Sequence, residues 1–249
     1  MWEFSLYFDN VNIANAFRLS IYKKVKSLGG VSTVLIDNNF SKVLIAIPKT
    51  SRKDFCIYIK DKLAENILLY YKHDYICSKL NFFMTTSTNM QVFIKALTVF
   101  DSNTDKDIIK EKIVLSDRFF VTSFIDFKLN FLKRKWDELV SLANDNEMYF
   151  FDENSFNELI KFLISNLEYR YYAVNIFSKK NCYFICDYQG NNIVDFLIEK
   201  NIFYDDNMLI TALIALNPEK IIIHCNSFVK DKLIKNLYAY FSNRVEVCK

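Results

Sequence analysis

The chain begins with two patterns of apolar residues that predict a strand followed by a helix. In residues 2–8, large apolar residues occupy every second position, and a period of two residues is typical of a half-buried strand. In residues 13–28, apolar residues recur at three- and four-residue spacing, which predicts a helix. We expect Asp9 or Asn10 to cap the start of this helix and Gly29-Gly30 to end it.

The next segment predicts a β-hairpin and a second helix. The runs VSTVLI (31–36) and KVLIAI (42–47) are joined by Asp37-Asn38-Asn39, and asparagine tolerates the positive φ of a tight turn. Ser51 with Asp54 then forms an approximate capping box before a helical stripe of apolar residues. The resulting order β-α-β-β-α is most of a ferredoxin-like split unit.

Strand patterns fade in the middle of the chain, and helical periodicity replaces them. Apolar residues recur at helical spacing around 89–100, 105–145 and 153–168. Asp152 or Asn154 is placed to cap the third of these segments. The middle of the chain is therefore predicted to be helical.

A second α/β region follows. Pro218 disfavours helical geometry at Asn217 and ends the preceding apolar helix. Ile221-Ile222-Ile223 is a continuous β-branched run, which predicts a strand covered on both faces. The elements expected here are strands near 171–177 and 182–187 around the turn Ser178–Asn181, a helix at 206–216, a strand at 220–225, a helix begun by Ser227 and a strand near 244–248.

Together these elements predict a mixed α/β and α+β protein in three parts. The first part, residues 1–72, is the ferredoxin-like half. The second, residues 73–168, is helical, and the third, residues 169–249, is an α/β unit. No internal repeat or low-complexity tract interrupts this order.

Composition narrows the class of protein. Half of the 249 residues are apolar, so the chain can bury a core, and the formal net charge of only +3 does not indicate a polyanion partner. No segment reaches the roughly 18–20 apolar residues of a membrane span, and the N-terminus lacks the basic region of a signal peptide. Six cysteines are then expected to be free thiols in a reducing cytoplasm. They are Cys56, Cys77, Cys182, Cys186, Cys225 and Cys248.

His224, Cys225 and Cys248 are the candidate catalytic residues. If the last two strands run parallel, all three residues lie near carboxyl ends, where open α/β sheets place their sites. Adjacent strand residues point to opposite faces, so His224 cannot easily activate Cys225. It could reach Cys248 only if the two strands adjoin. A thiol-dependent or hydrolytic enzyme is therefore one alternative, and a structural histidine at a strand end is the expectation.

A basic helix offers a candidate nucleic-acid surface. Phe127 and Phe131 lie beside a run of cations, whose charge is diluted by nearby Asp and Glu residues. The competing interpretation is an amphipathic helix with a solvated basic face and its aromatic residues in the core, and we favour it. The candidate nucleic-acid-binding residues are Lys128, Lys133, Arg134 and Lys135.

No metal site and no cofactor are predicted. Cys182 and Cys186 would lie about 13 Å apart along one strand, too far to share a zinc ion, and the chain contains no C-x-x-C motif. Asp205-Asp206 could bind a cation, but carboxylates at a helix start already satisfy its N–H groups and positive end.

The C-terminal segment DDNMLITALIALNPEKIIIHCNSFVKDKLIKNLYAYFSNRVEVC (205–248) resembles the YtxC-like family of sporulation proteins from spore-forming bacteria. Phe124–Leu129 is similar to the family's Phe-Ile-x-Phe-Arg-Leu motif, with Lys128 in place of the arginine. The resemblance covers roughly residues 115–249. It implies a sporulation-associated cytoplasmic protein, expected to be a non-catalytic binding or regulatory module with a protein partner, with nucleic acid as an alternative partner and no membrane association.

Overall fold

The structure is a computed structural model that describes residues 1–37, 40–80, 88–145, 152–179, 182–193, 195, 197–198, 202–224 and 230–248. Its first half contains β1 (Trp2–Phe8), α1 (Val11–Ser27), β2 (Val31–Ile36), β3 (Ser41–Ile47), α2 (Arg52–Asn66), a π-helical turn (Ile67–Lys72), α3 (His73–Lys79), α4 (Thr88–Val99), α5 (Ser102–Lys112), β4 (Arg118–Phe120), α6 (Val121–Lys128) and α7 (Asn130–Asp145). Its second half contains α8 (Glu153–Ser165), β5 (Tyr171–Lys179), β6 (Cys182–Asp187), β7 (Ile202–Phe203), α9 (Asp206–Leu216), β8 (Pro218–His224), α10 (Asp231–Phe241) and β9 (Val245–Cys248).

These elements form two compact units, and the predicted mixed α/β fold is confirmed. The N-terminal unit consists of residues 1–72 and 103–137, and the C-terminal unit of residues 73–102 and 138–249. The chain therefore enters each unit twice. The division into three parts at residues 72 and 168 stays a prediction, for limited proteolysis to test.

The N-terminal unit has a four-stranded sheet in the order β2-β3-β1-β4. The predicted hairpin is confirmed, with β2 antiparallel to β3, and β3 is also antiparallel to β1. Asn10 caps α1 by accepting hydrogen bonds from the backbone N–H groups of Asn12 and Ile13. Gly29 has a φ of 71°, so the helix ends in the left-handed geometry predicted for a glycine.

The C-terminal unit has a five-stranded sheet in the order β7-β6-β5-β8-β9, in which β5, β8 and β9 are parallel. One face of this sheet packs on helices, through buried residues such as Val174, Ile221 and Ile223. Helix α9 is central to this core, since every residue from Leu209 to Leu216 except Thr211 is buried. The unit is thus a helical layer on one face of a mixed sheet.

Two local predictions are wrong. Ile221 and Ile223 are fully buried in an inner strand, but Ile222 between them is only half-buried, because the alternate residues of β8 face the side opposite the helices. Ser51 makes no capping hydrogen bond, because it belongs to a 3-10 turn before α2. The predicted helical middle is confirmed, and the segment over 105–145 contains the helices α5, α6 and α7, which are interrupted by β4 and by Leu129.

Some predicted features lie outside the described residues. They are the turn residues Asn38 and Asn39, the turn residues Lys180 and Asn181, the candidate Cys225 and the proposed helix start Ser227.

Candidate functional site

The structure brings His224 and Cys248 onto neighbouring strands. β8 and β9 are adjacent and parallel, and His224 pairs in register with Cys248. On its other side His224 pairs with Phe177 of β5, and the two rings stack with centroids 4.3 Å apart. His224 Nε2 lies 2.9 Å from Asn175 Oδ1. The half-buried His224 ring is therefore held by an aromatic ring and an amide.

The hydrogen bonds of Asn175 determine which nitrogen of His224 carries the proton. Asn175 Nδ2 donates to the backbone carbonyl of Asp187 over 2.9 Å, which fixes the amide so that Oδ1 faces the histidine. Because Oδ1 can only accept, His224 Nε2 must donate. A base that activates a thiol needs an orienting group and direct contact with the sulfur. Asn175 is the orienting group that the structure provides. The His224 ring contacts Asn175 and Phe177.

The candidate nucleic-acid residues differ in how far their charges are compensated. Lys133 Nζ lies 2.5 Å from Asp126 Oδ1, and Lys135 Nζ lies 3.3 Å from Asp105 Oδ1. Lys128 and Arg134 are exposed. Two of the four cations are thus paired with carboxylates, and the positive charge of this surface is lower than the sequence suggests.

The aromatic residues beside these cations lie outside the core, contrary to our expectation. Phe127 is 77% exposed and Phe131 is 68% exposed. The reason is that a complete buried stripe already exists at the spacing of four, three and four residues. It consists of Ile125, Leu129, Leu132 and Trp136. Phe127 near the end of α6 and Phe131 at the start of α7 stay exposed, with Lys128 and Arg134 close to them in the sequence. We call these four residues the α6–α7 surface.

A cavity of about 540 Å³ beside the start of α2 concentrates positive charge. Its lining contains four cations and no carboxylate. The lining residues are Lys49, Thr50, Arg52, Lys53, Cys56, Ile57 and Lys60. Like charges one turn apart on a helix repel each other. The sequence contained only a partial signal for this cavity, because Lys53 and Lys60 recur two turns apart in α2 while Lys49 belongs to the 3-10 turn before that helix.

A buried ionic cluster in the N-terminal unit was also missed. Lys72 Nζ lies 2.7 Å from Asp105 Oδ2, and both side chains are inaccessible to solvent. Trp136 Nε1 donates to the same Asp105 oxygen over 2.9 Å. These residues are more than thirty positions apart in the sequence, so no local pattern connects them. The complete pairing indicates a structural role for this cluster.

Asn217 joins three segments of the C-terminal unit. It ends α9 with a φ of 33°, in the left-handed region. Its Nδ2 donates to the carbonyls of Leu167 and Glu168, over 2.9 and 3.1 Å, and its Oδ1 accepts from Arg244 Nη1 over 2.8 Å. Asparagine before proline at a helix end was a usable signal, because asparagine tolerates left-handed geometry.

The acidic residues at the start of α9 have structural partners. Asp205 caps the helix by accepting from the backbone N–H of Met208 over 2.8 Å, as predicted. Asp206 Oδ1 accepts from the Tyr183 hydroxyl over 2.9 Å. Burial and this hydrogen bond raise the pKa of Tyr183. In the part of the chain that the structure describes, no cluster of three His, Cys, Asp or Glu residues could hold a metal ion.

The fold and these sites define the structural class of the protein. This is an α+β protein of two mixed-sheet units, with exposed aromatic and basic surfaces and a histidine held on an open sheet face. Its described helices include none that is long and apolar enough to cross a bilayer.

The chain belongs to the YtxC-like family, whose model matches residues 58–246. This match begins within α2 and extends further toward the N-terminus than the resemblance seen in the sequence. Neither a curated protein nor a solved structure matches the chain.

Proposed function

We propose that the chain is a sporulation-associated cytoplasmic protein that acts as a non-catalytic binding module and contacts a protein partner through the α6–α7 surface. The observation that carries this proposal is the exposure of Phe127 and Phe131. Both residues lie within the span that matches the YtxC-like family. The proposed association with sporulation rests on membership of the YtxC-like family.

An exposed phenylalanine side chain contributes to the free energy of binding when a partner buries it. Burying one such side chain contributes about 1.5–3 kcal/mol, and aromatic residues with arginine are enriched at the centres of protein interfaces. Arg134 and Lys128 are exposed beside the two rings. A protein surface with an apolar pocket and an acidic rim would complement this arrangement.

The charge balance favours a protein partner over a nucleic acid at this surface. Affinity for nucleic acid comes largely from cations that neutralise phosphates. Lys133 and Lys135 already contact Asp126 and Asp105. The cations next to the α6–α7 surface are therefore partly neutralised, while its two phenylalanine side chains stay exposed.

The cysteines are compatible with the cytoplasmic location that we propose. The five described cysteines form no disulfide bond with one another. Disulfides are rare in the reducing cytoplasm and common in secreted proteins. Free thiols are therefore the expected state for a protein that stays in the cell.

The proposal can be tested with the double variant Phe127→Ser/Phe131→Ser. Because both rings are exposed, the variant should keep the melting temperature of the unchanged protein. It should lower spore yield in the source organism and lose a partner that cross-links to the unchanged chain. Phe162→Ser is the matched control, since Phe162 of α8 is also largely exposed. A folded double variant with normal spore yield and normal cross-linking would reject the proposal.

A second candidate function, nucleic-acid binding, is favoured by the cavity beside α2. Four cations line it without a carboxylate, which is the concentrated basic surface that phosphates require. Salt-sensitive retention of a single-stranded oligonucleotide that is lost in Lys53→Gln/Lys60→Gln would support this function. Lys23→Gln/Lys24→Gln on the exposed side of α1 is the control of equal charge.

A further inference from the structure

Strand β2 is an edge strand of the N-terminal sheet. It pairs with β3 on one side and has no partner strand on the other within the described residues. None of its six residues is buried, and Val31 and Ile36 are 67% and 73% exposed. The strand VSTVLI contains no charge and no proline. Natural edge strands usually carry such residues, because a bare edge pairs with other strands.

The register of the hairpin shows which backbone groups face outward. Asp37 donates its N–H to the carbonyl of Phe40, and hydrogen-bonded pairs alternate with non-bonded pairs along an antiparallel ladder. Counting back from Asp37, the residues whose backbone groups point away from β3 are Ser32, Val34 and Ile36. Arg18 Nε donates to the Ser32 carbonyl over 3.4 Å, which agrees with this assignment.

We propose that β2 pairs with β2 of a second copy of this chain, antiparallel and centred on Val34. In this register Val34 of one copy lies opposite Val34 of the other, and Ser32 lies opposite Ile36. All three are outward-facing residues, so the Val34 pair can exchange backbone hydrogen bonds. The Ser32–Ile36 pairs can do the same through the second lone pair of the Ser32 carbonyl, whose first lone pair accepts from Arg18. The two four-stranded sheets would then form one continuous sheet across a twofold axis.

The strand is complementary to itself, which argues for a second copy as the occupant. Twofold pairing requires that a surface match its own rotated copy. With Val34 at the centre, Thr33 meets Leu35, and no charged residue meets a like charge. On the adjoining α1, Arg18 donates to the Ser32 carbonyl and its guanidinium lies 5.1 Å from the centre of the Tyr22 ring. This interface is separate from the α6–α7 surface, so it does not depend on the proposed function.

The proposed β2–β2 register can be tested by placing opposite charges at position 34. Val34→Lys and Val34→Glu should each be monomeric, because the substitution places like charges opposite each other at the twofold axis. An equal mixture of the two variants should form a heterodimer, since lysine then lies opposite glutamate. Sedimentation equilibrium over a concentration series measures all three samples, and circular dichroism confirms that each variant is folded.

Two further variants complete the experiment. Val34→Pro removes an N–H that points outward, so it should abolish dimerisation and leave the β2–β3 ladder intact. Val114→Lys, at an exposed position outside the sheet, should leave dimerisation unchanged. A protein that is monomeric at every concentration would overturn the proposal. So would a dimer that persists in folded Val34→Pro, or a mixture of the charged variants that stays monomeric.

Discussion

Lys72 and Asp105 form an ion pair with both side chains completely buried, at a distance of 2.7 Å between Nζ and Oδ2. Asp105 also accepts from Trp136 and contacts Lys135, so its two oxygens have three donors. The Lys72 ammonium lies 5.7 Å from the centre of the Trp136 ring. Removing one charge from such a pair leaves the other uncompensated in the interior.

Lys72→Met should therefore lower the free energy of unfolding by about 3 kcal/mol. The double variant Lys72→Met/Asp105→Asn should recover a large part of this loss, because asparagine removes the buried charge and its Oδ1 can still accept from Trp136. Urea denaturation of the three proteins measures the effect. If the single and double variants are equally unstable, the loss comes from packing and not from the unpaired carboxylate.

Two substitutions of Asn217 separate the free-energy cost of backbone strain from the cost of lost hydrogen bonds. Asn217→Gly keeps the left-handed geometry and loses the contacts to Leu167, Glu168 and Arg244, which should cost about 2 kcal/mol. Asn217→Ala loses the same contacts and adds left-handed strain, which should cost about 1 kcal/mol more. The difference between their denaturation midpoints checks the assignment. Equal stability of the two variants would contradict it.

The two faces of β8 should respond differently to a charge. Ile223→Asp places a carboxylate in the core against the helices and should give insoluble or unfolded protein, since an unpaired buried charge costs several kcal/mol. Ile222→Asp places the carboxylate on the half-buried face of β8, and this variant should be soluble with a reduced melting temperature. Equal damage from both substitutions would show that a further layer covers the face that carries Ile222.

Acid should weaken the start of α8. Asp152 Oδ2 accepts from the Ser155 hydroxyl and the Ser155 N–H over 2.7 and 2.8 Å, and these bonds hold the pKa of Asp152 below its ordinary value of 3.8. A lowered folded pKa gives stability that is present above the ordinary value and is lost as pH falls through the folded value. Asp152→Asn keeps a cap that does not titrate. The melting temperature of the native protein should therefore fall more than that of Asp152→Asn below about pH 4.

His224→Asn tests the structural role of the histidine. The substitution removes the bond to Asn175 and the stack on Phe177 and should cost about 1–2 kcal/mol. Spore yield should stay near normal in the folded variant. A folded His224→Asn protein without function would instead support the thiol or hydrolytic alternative at His224 and Cys248.

The fold was predictable from the sequence where the signal is local. Alternation in residues 2–8, the glycine after α1 and the break at Pro218 each determine an element through neighbouring residues. The candidate sites were less predictable, because their contacts are distant in sequence. Asp105 meets Lys72 and Trp136 only after the chain folds, and the exposure of Phe127 depends on which residues fill the core first. Ile222 shows the same limit, since an apolar run does not reveal whether a second layer exists.

Each unit consists of two separate segments of the chain, and this has a consequence for synthesis on the ribosome. Lys72 ends the first segment of the N-terminal unit, whereas Trp136 lies almost at the end of its second segment, which closes at Asp137. Translation of the intervening residues takes roughly 3–13 seconds at about 5–20 residues per second. During this delay the nascent chain holds a hydrated lysine and an incomplete apolar surface, and its sheet lacks β4. Chaperones that bind nascent chains would meet this intermediate in every round of synthesis.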